Sequence, residues 1–217
     1  MIKKNNINII DTKSVFIGKD VKIGKNVTIY ENNRIDGTSE IKDGVTLFPG
    51  NFIKNTVIGE NSTLNNSDAE DAIIGDNCKI GPFARLRPGA VLKNNVHIGN
   101  FVEIKNSTLG EGTKACHLAY VGDADIGKNV NIGCGAIFVN YNGRTKSRSK
   151  VGDNCFIGSN ANVIAPVEIE DNSYVCAGTT VTEKVNSDDF VIGRVRQEVK
   201  KNRAHDYLKN IDKNNKN

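Results

Sequence analysis

The stretch "VGDNCFIGSNANVIAPVEIEDNSYVCAGTTV", residues 151–181, repeats an aliphatic residue at every sixth position: Val151, Ile157, Val163, Ile169, Val175 and Val181. A period of six fits neither an α-helix nor a long strand. The residue two positions earlier is small or β-branched, as at Cys155, Ala161 and Val167. Each unit therefore predicts a short strand whose first and third side chains point inward, followed by a polar turn.

The same period of six runs from Ile17 to Ile53 and from Ile74 to Ile104. Three such units close a triangular coil of about 18 residues, and stacked coils form a parallel β-helix with strands about 4.8 Å apart. The step from Phe138 to Val151 is thirteen, so a loop must leave the coil there. Functional loops on rigid scaffolds are typical of this arrangement.

These observations predict an all-β chain in three parts. Residues 1–12 form an N-terminal lead-in, residues 13–186 form the β-helix with an excursion loop at 139–150, and residues 187–217 form a C-terminal arm and tail. Within the tail, residues 190–195 are expected to add one extended piece and residues 195–211 to be helical.

Composition excludes several classes of protein. The net charge is +4 over 217 residues with lysines scattered singly, which argues against nucleic-acid binding. The five cysteines form no C-x-x-C pair, which argues against a disulfide framework or zinc ribbon. Cys78 and Cys155 fall at small inward positions, so packing explains them. No apolar run has membrane-spanning length, and a cytoplasmic protein is expected.

Stacking brings charged residues into one column. If three units make a coil, Arg87 and Lys105 become vertical neighbours roughly 5 Å apart, with Gly122 above them. Two adjacent cations beside a glycine predict a seat for a phosphate. Glu103 and Tyr120 stack in the neighbouring column and are predicted to hold sugar hydroxyls.

A second column contains His117. Asn100 lies one coil below it, and Cys134, Ser159 and Ala177 lie above it. Small residues along one corner leave room for a slender ligand. His117 is predicted at the foot of this groove, on the same face as Tyr120, where a long thin ligand would meet a phosphorylated one.

Four stretches resemble one family: "GPFARLRPG" (81–89), "HIGNFVEIKNSTLGEGTKACHLAYVGDADIGKNVNIG" (97–133), "NYNG" (140–143) and "VIAPVEIEDNSYVCAGTTV" (163–181). They resemble the acetyltransferase half of the bacterial bifunctional GlmU enzymes, which are hexapeptide-repeat transferases. The resemblance implies that the β-helix is left-handed. It also implies a homotrimer with sites shared between chains.

The resemblance assigns roles to individual residues. It implies that His117 is the general base, and that acetyl-CoA is the co-substrate, with no metal required for acetyl transfer. The sugar phosphate would be bound by Arg87, Lys105, Tyr120, Asn131 and Lys146. Acetyl-CoA would be bound by Cys134, Asn140, Tyr141, Ser159, Ala177 and Arg194.

The implied reaction is acetyl transfer from acetyl-CoA to the amine of glucosamine 1-phosphate, on the route to UDP-N-acetylglucosamine and cell-wall precursors. The uridyltransferase domain of the family is expected to be absent, which leaves room for a separate uridyltransferase chain as a partner. Two alternatives stay open: a non-catalytic or regulatory β-helix subunit, and an acetyltransferase for another amino sugar. A zinc enzyme like the γ-carbonic anhydrases would need three histidines, but only His97 and His117 lie in the coils, in different columns.

Overall fold

The chain is a left-handed parallel β-helix of about ten turns, with three faces per turn. A computed structural model describes residues 6–208. Face A contains the strands β1 (Asn8–Ile9), β4 (Thr28–Ile29), β7 (Thr46–Leu47), β10 (Thr63–Leu64), β13 (Lys79–Ile80), β20 (Asn131–Ile132), β23 (Phe156–Ile157), β26 (Tyr174–Val175) and β28 (Phe190–Val191). Face B contains β2 (Phe16–Ile17), β5 (Arg34–Asp36), β8 (Phe52–Lys54), β11 (Asp68–Glu70), β14 (Arg85–Leu86), β21 (Ile137–Val139), β24 (Asn162–Ile164) and β27 (Thr180–Val181).

Two longer strands, β16 (His97–Lys105) and β18 (Lys114–Gly122), pass from face A to face B without interruption. Face C contains β3 (Lys22–Ile23), β6 (Glu40–Ile41), β9 (Val57–Ile58), β12 (Ile73–Ile74), β15 (Val91–Leu92), β17 (Thr108–Leu109), β19 (Ala124–Ile126), β22 (Ser149–Val151) and β25 (Glu168–Ile169). Below, the turn between faces A and B is called corner AB, and the turn between faces B and C is called corner BC.

The strand register confirms that three units make one coil. Leu86 pairs with Ile104 and Ile104 with Val121 on face B, while Ile98 pairs with Ala115 on face A. Each aliphatic therefore stacks directly on the corresponding aliphatic of the next coil. The inward column of face B is buried at Leu86, Ile104, Val121, Phe138 and Val163, and Phe138 within it is 1% exposed.

The core is a narrow aliphatic column inside the prism. Cys78 and Cys155 are 0% and 2% exposed, which confirms their predicted packing role. Burial raises the pKa of both thiols, so neither has the thiolate character that a nucleophile needs.

The corners depend on residues that accept a left-handed backbone. Among the described residues, the non-glycine positions with positive φ hold Asn or Asp except at Phe83, Phe101 and Leu118. Asn and Asp tolerate this conformation because their short polar side chains hydrogen-bond locally. The repeated Gly-Asp-Asn and Gly-Lys-Asn turns of the sequence therefore have a conformational cause.

The excursion loop leaves the prism at corner BC, between Val139 and Ser149. Within it, Tyr141 and Lys146 form an antiparallel bridge. The stacked strands reach beyond residues 13–186 at both ends, because Asn8–Ile9 pairs with Thr28–Ile29 and Phe190–Val191 pairs with Tyr174–Val175. The extended piece expected at residues 190–195 is thus confirmed at its start.

The prediction of a helix over residues 195–211 was wrong for its first part. The structure has one five-residue helix, α1 (Ala204–Leu208), and residues 195–203 contain no helix. Val195 and Val199 are 93% and 68% exposed, so this segment has no apolar surface to pack against, and a short helix is marginal without packing. Residues 209–211 lie outside the described part. Within residues 6–208, no helix has the length and apolarity that crossing a bilayer requires.

Phe138 offers a direct test of the core. We expect Phe138→Ala to lower the free energy of unfolding by about 3–5 kcal/mol, because it leaves a cavity in a closely packed column. Ile137→Ala is the matched control, since Ile137 is the next residue and is 37% exposed; it should cost less than about 1 kcal/mol. Urea unfolding measures both, and equal losses would show that Phe138 does not fill the core.

Candidate active site

An open pocket of about 390 Å³ lies where the excursion loop meets corner BC. Lys105, Asn106 and Asp123 line it from the coils, and Lys146 and Arg148 line it from the loop. The fold thus brings together two of the residues predicted to bind the sugar phosphate, Lys105 and Lys146. They are 41 positions apart in the chain, and the loop's exit point at this corner is what places them side by side.

Asp123 is at the centre of this pocket and was not predicted from the sequence. It is 6% exposed, and its carboxylate accepts hydrogen bonds from three side chains. Asn106 Nδ2 donates at 2.6 Å, and Lys105 Nζ lies 3.2 and 3.3 Å from the two oxygens. Asn140 Nδ2, at the start of the loop, donates to Oδ2. The carboxylate therefore connects one face of the coil to the loop.

These contacts decide the charge of Asp123. Burial alone would raise its pKa, but the hydrogen bonds from Asn106, Asn140 and Lys105, together with the positive charge of Lys105, outweigh burial and lower the pKa. The carboxylate is consequently ionised at neutral pH, and it forms an ion pair with a lysine side chain that is only 19% exposed.

The lowered pKa predicts a pH-dependent contribution to stability. The group is more acidic in the folded protein than the value of about 3.9 for an unfolded aspartate. Its contribution is therefore complete above that value and is lost as the pH falls through the folded pKa. We expect the difference in Tm between wild type and Asp123→Asn to be largest near neutral pH and to shrink below about pH 4. A difference that stayed constant down to about pH 3 would contradict this assignment.

A second carboxylate holds the far end of the loop. Arg148 Nε and Nη2 donate to the two oxygens of Asp125, the former at 2.7 Å. The same guanidinium donates through Nη1 to the backbone oxygen of Asn106 and through Nη2 to that of Ala124. A bidentate pair with two further hydrogen bonds uses nearly all the donors of Arg148, so this cation has a structural role.

Arg87 and Glu103 form an ion pair on face B. Arg87 Nη1 lies 2.7 Å from Glu103 Oε1, with side-chain exposures of 38% and 32%. The sequence predicted that Glu103 would face sugar hydroxyls, but in this structure its carboxylate is paired with Arg87. A half-exposed pair of this kind contributes about 0–1 kcal/mol, so an incoming phosphate could replace the carboxylate at little cost.

Tyr120 packs over Gly122, the residue stacked directly above Lys105. A Cβ added to Gly122 would lie 2.4 Å from the Tyr120 hydroxyl oxygen, so the tyrosine side chain packs over the glycine. Asn140 Nδ2 is 3.5 Å from the same hydroxyl. Gly122 therefore makes room for the tyrosine ring in the column that contains Lys105.

His117 lies on corner AB and is exposed. Its Nδ1 is 3.0 Å from Asn100 Oδ1, one coil below. Because an amide oxygen only accepts hydrogen bonds, this contact requires the hydrogen on Nδ1 and leaves the lone pair of Nε2 free. The prediction that His117 shares a face with Tyr120 was wrong: the left-handed backbone at Leu118 turns the strand between them.

The residues predicted to border a groove for a slender ligand lie on corner AB, in the coils above His117. Cys134, Ser159 and Ala177 are all exposed, and backbone hydrogen bonds connect their coils, from Asn160 N to Cys134 O and from Gly178 N to Ser159 O. The Cδ of Arg194 would be 3.7 Å from a Cβ on Gly178. Arg194 thus lies over the upper end of the same corner.

Two predicted residues are not brought to either cluster within one chain. Asn131 is exposed on face A, in the row of Lys114 and Phe156. Tyr141 is exposed on the loop, and its hydroxyl donates to the backbone oxygen of Gly143 at 2.8 Å. Within residues 6–208, no group of three His, Cys, Asp or Glu side chains could hold a metal ion.

The functional residues that were not predicted from the sequence share one position in the repeat. Asn106 and Asp123 occupy the column one position after Lys105 and Gly122, and Asn140, which was predicted to bind acetyl-CoA, continues this column and donates to Asp123. Residues at corner positions resemble ordinary turn residues, so the sequence pattern does not distinguish this column from the others. The signal that could have identified this column is an aspartate that follows an asparagine in it, next to the column of Arg87 and Lys105 and below the excursion loop.

Comparison with known proteins gives the class. The family described as bacterial transferase hexapeptide (six repeats) matches residues 71–106, and the family described as hexapeptide repeat of succinyl-transferase matches residues 149–183. The Arabidopsis UDP-N-acetylglucosamine acyltransferase structure superposes with a TM-score of 0.49 at 20% identity, over 86% of this chain and 69% of that one, which is too low to bear on function. The repeats and the β-helix together make the chain a hexapeptide-repeat protein of the transferase class.

Sequence relatives narrow this class. The chain is 44% identical to the bifunctional protein GlmU of Clostridium novyi over 194 residues, 89% of this chain and 42% of that protein. It is 46% identical to the bifunctional protein GlmU of a Geobacillus species over 198 residues, 91% of this chain and 43% of that protein. The chain belongs to the acetyltransferase-type domains of the GlmU family. It spans less than half the length of these relatives.

Proposed function

We propose that the protein transfers the acetyl group of acetyl-CoA to the amine of glucosamine 1-phosphate, giving N-acetylglucosamine 1-phosphate and CoA. The observation that carries the proposal is the pair of residue clusters: cations and a tyrosine around corner BC and face B, and a histidine with a free Nε2 below the exposed small residues of corner AB. The similarity to GlmU proteins supports the choice of substrates. Formation of N-acetylglucosamine 1-phosphate would feed UDP-N-acetylglucosamine synthesis in the cytoplasm.

In the proposed reaction, His117 acts as the general base. The neutral amine attacks the thioester carbonyl, a C–N bond forms, and the C–S bond breaks as CoA thiolate leaves. His117 Nε2 accepts the proton that the amine nitrogen loses and can return it to the thiolate. Asn100 holds the imidazole in the tautomer that this step needs. Positioning of the two substrates supplies much of the remaining acceleration.

Substrate binding is assigned to the surrounding residues. Arg87, Lys105 and Lys146 would bind the phosphate, with Tyr120 against the sugar ring. Along corner AB, the exposed backbone and small side chains at Cys134, Ser159 and Ala177 would border the pantetheine arm, and Arg194 would meet the nucleotide phosphates. Asn131 and Tyr141 complete the proposed set; because Asn131 lies on face A and Tyr141 does not line the pocket at corner BC, we propose that the site is shared between chains.

An apolar ridge beside His117 supports self-association. Phe83, Phe101 and Leu118 are 51%, 60% and 58% exposed on corner AB, and the two phenyl rings stack with centroids 5.5 Å apart. A left-handed backbone costs such residues about 1–2 kcal/mol each, so their placement is not a conformational preference. We propose that this ridge packs against other copies of the chain in a homotrimer, next to Asn100 and His117.

A thiol-release assay tests the proposed activity. Purified protein, acetyl-CoA and glucosamine 1-phosphate should release free CoA thiol, whereas glucosamine without the phosphate should react poorly because the cation cluster is unfilled. A preference for a different amino sugar phosphate would redirect the substrate assignment. The proposal fails if no amino sugar phosphate supports thiol release; a rise in Tm with acetyl-CoA would then indicate a binding protein without this activity.

A further inference from the structure

Asp71 and Asp123 occupy the same corner of different coils and provide an internal comparison. Both have a left-handed backbone, with φ of 48° and 50°. Each also accepts a hydrogen bond from the asparagine one coil below, Asn55 at 3.0 Å for Asp71 and Asn106 at 2.6 Å for Asp123. This hydrogen bond from the corner residue one coil below accounts for an aspartate at either position.

Asp123 has two further contacts, which the hydrogen bond between successive corner residues does not require. It accepts hydrogen bonds from Lys105 and from Asn140, and it is buried, whereas Asp71 is exposed. Lys105 belongs to the coil below Asp123, and Asn140 belongs to the excursion loop. One carboxylate therefore fixes the ammonium of Lys105 and the first residue of the loop relative to each other.

This contact preorganises a flexible cation. A lysine has a long stem with many rotamers and three donor hydrogens, and ordering it on ligand binding costs entropy. Asp123 engages one side of the Lys105 ammonium at 3.2 and 3.3 Å, while Lys105 still lines the open pocket that Lys146 also lines. The remaining donor hydrogens can thus bind an anion without further ordering of the side chain.

We propose that Asp123 is a positioning residue for the sugar phosphate: it holds Lys105 and the Asn140 end of the loop in the arrangement that receives the phosphate. This inference rests on the proposed function. Asp123 itself carries a negative charge and would repel a phosphate, so two effects of opposite sign compete. Burial of the carboxylate under three donors screens the repulsion, and preorganisation is the larger effect.

The test compares Asp123→Asn with Asp71→Asn, the same substitution at the same corner and nearly the same φ. For Asp123→Asn we expect KM for glucosamine 1-phosphate to rise about five- to ten-fold, while KM for acetyl-CoA changes less than about two-fold. For Asp71→Asn both constants should stay within about two-fold of wild type. Circular dichroism and Tm verify that each variant is folded.

A second variant covers the case in which Asp123→Asn does not fold. Asn140→Ala removes the loop end of the contact and leaves Asp123 in place, and it should raise the same KM in the same direction. The positioning role is overturned if Asp123→Asn matches Asp71→Asn, or if its KM for the sugar phosphate falls, which would mean that repulsion dominates. If the wild type itself has no activity on any amino sugar phosphate, the proposed function fails instead, and the two failures are distinguishable.

Discussion

Replacing His117 with alanine is expected to lower kcat for acetyl transfer by about 10²–10⁴-fold, the usual contribution of a general base. The amine must lose a proton as it becomes an amide, and Nε2 of His117 is free to accept it because Asn100 occupies Nδ1. The KM values should change little, since the imidazole is assigned no phosphate or pantetheine contact. Steady-state thiol release with both substrates varied measures this split.

His97→Ala is the matched control for this experiment. His97 lies in the coil below, in the row of Lys79 and Lys114 on face A, and has no assigned role in the reaction. Its replacement should leave kcat within about two-fold of wild type. If His117→Ala kept wild-type kcat, or if both variants lost activity equally, His117 would not be the base.

The double substitution Phe101→Asn and Leu118→Asn is expected to convert the assembly to monomers and to abolish most of its activity. Burying a phenylalanine or leucine contributes about 1.5–3 kcal/mol per side chain, and a trimer would bury this ridge three times. The coil should tolerate the change, because asparagine is the residue that the other corners use at positive φ. Light scattering coupled to size exclusion gives the mass, and Tm reports on the fold.

Ile73→Asn is the control for loss of an exposed apolar side chain. Ile73 is 52% exposed on face C, away from the ridge. It should keep the wild-type mass and activity. A double variant that retained the wild-type mass, or a folded monomer with full activity, would contradict a shared site at corner AB.

The vertical rows of residues could be predicted from the sequence, because the stacking of coils fixes which residues become neighbours. Once three units make a coil, parallel pairing fixes Arg87, Lys105 and Gly122 as vertical neighbours, and the strand register has them so. The groove residues on corner AB follow from the same count. The loop exit was also predictable, since the extra residues between Phe138 and Val151 cannot fit into a coil.

Side-chain partners were not predictable in the same way. Arg87 and Lys105 have long stems whose torsions the repeat does not set, so their pairing with Glu103 and Asp123 appears only in the structure. The bend at Leu118 separates His117 from the face of Tyr120. It places a leucine at positive φ, where most other corners have asparagine or aspartate. The prediction of a helix over residues 195–211 was wrong for another reason: residues 195–203 have a helical composition but no apolar surface to pack against.

The most direct test of the account is the identity of the product. After incubation of the protein with acetyl-CoA and glucosamine 1-phosphate, nuclear magnetic resonance and mass spectrometry should show one acetyl group on the sugar nitrogen, formed in equal amount to free CoA and absent without the sugar. Acetylation at an oxygen, or CoA release that is the same with and without the amino sugar phosphate, would contradict it.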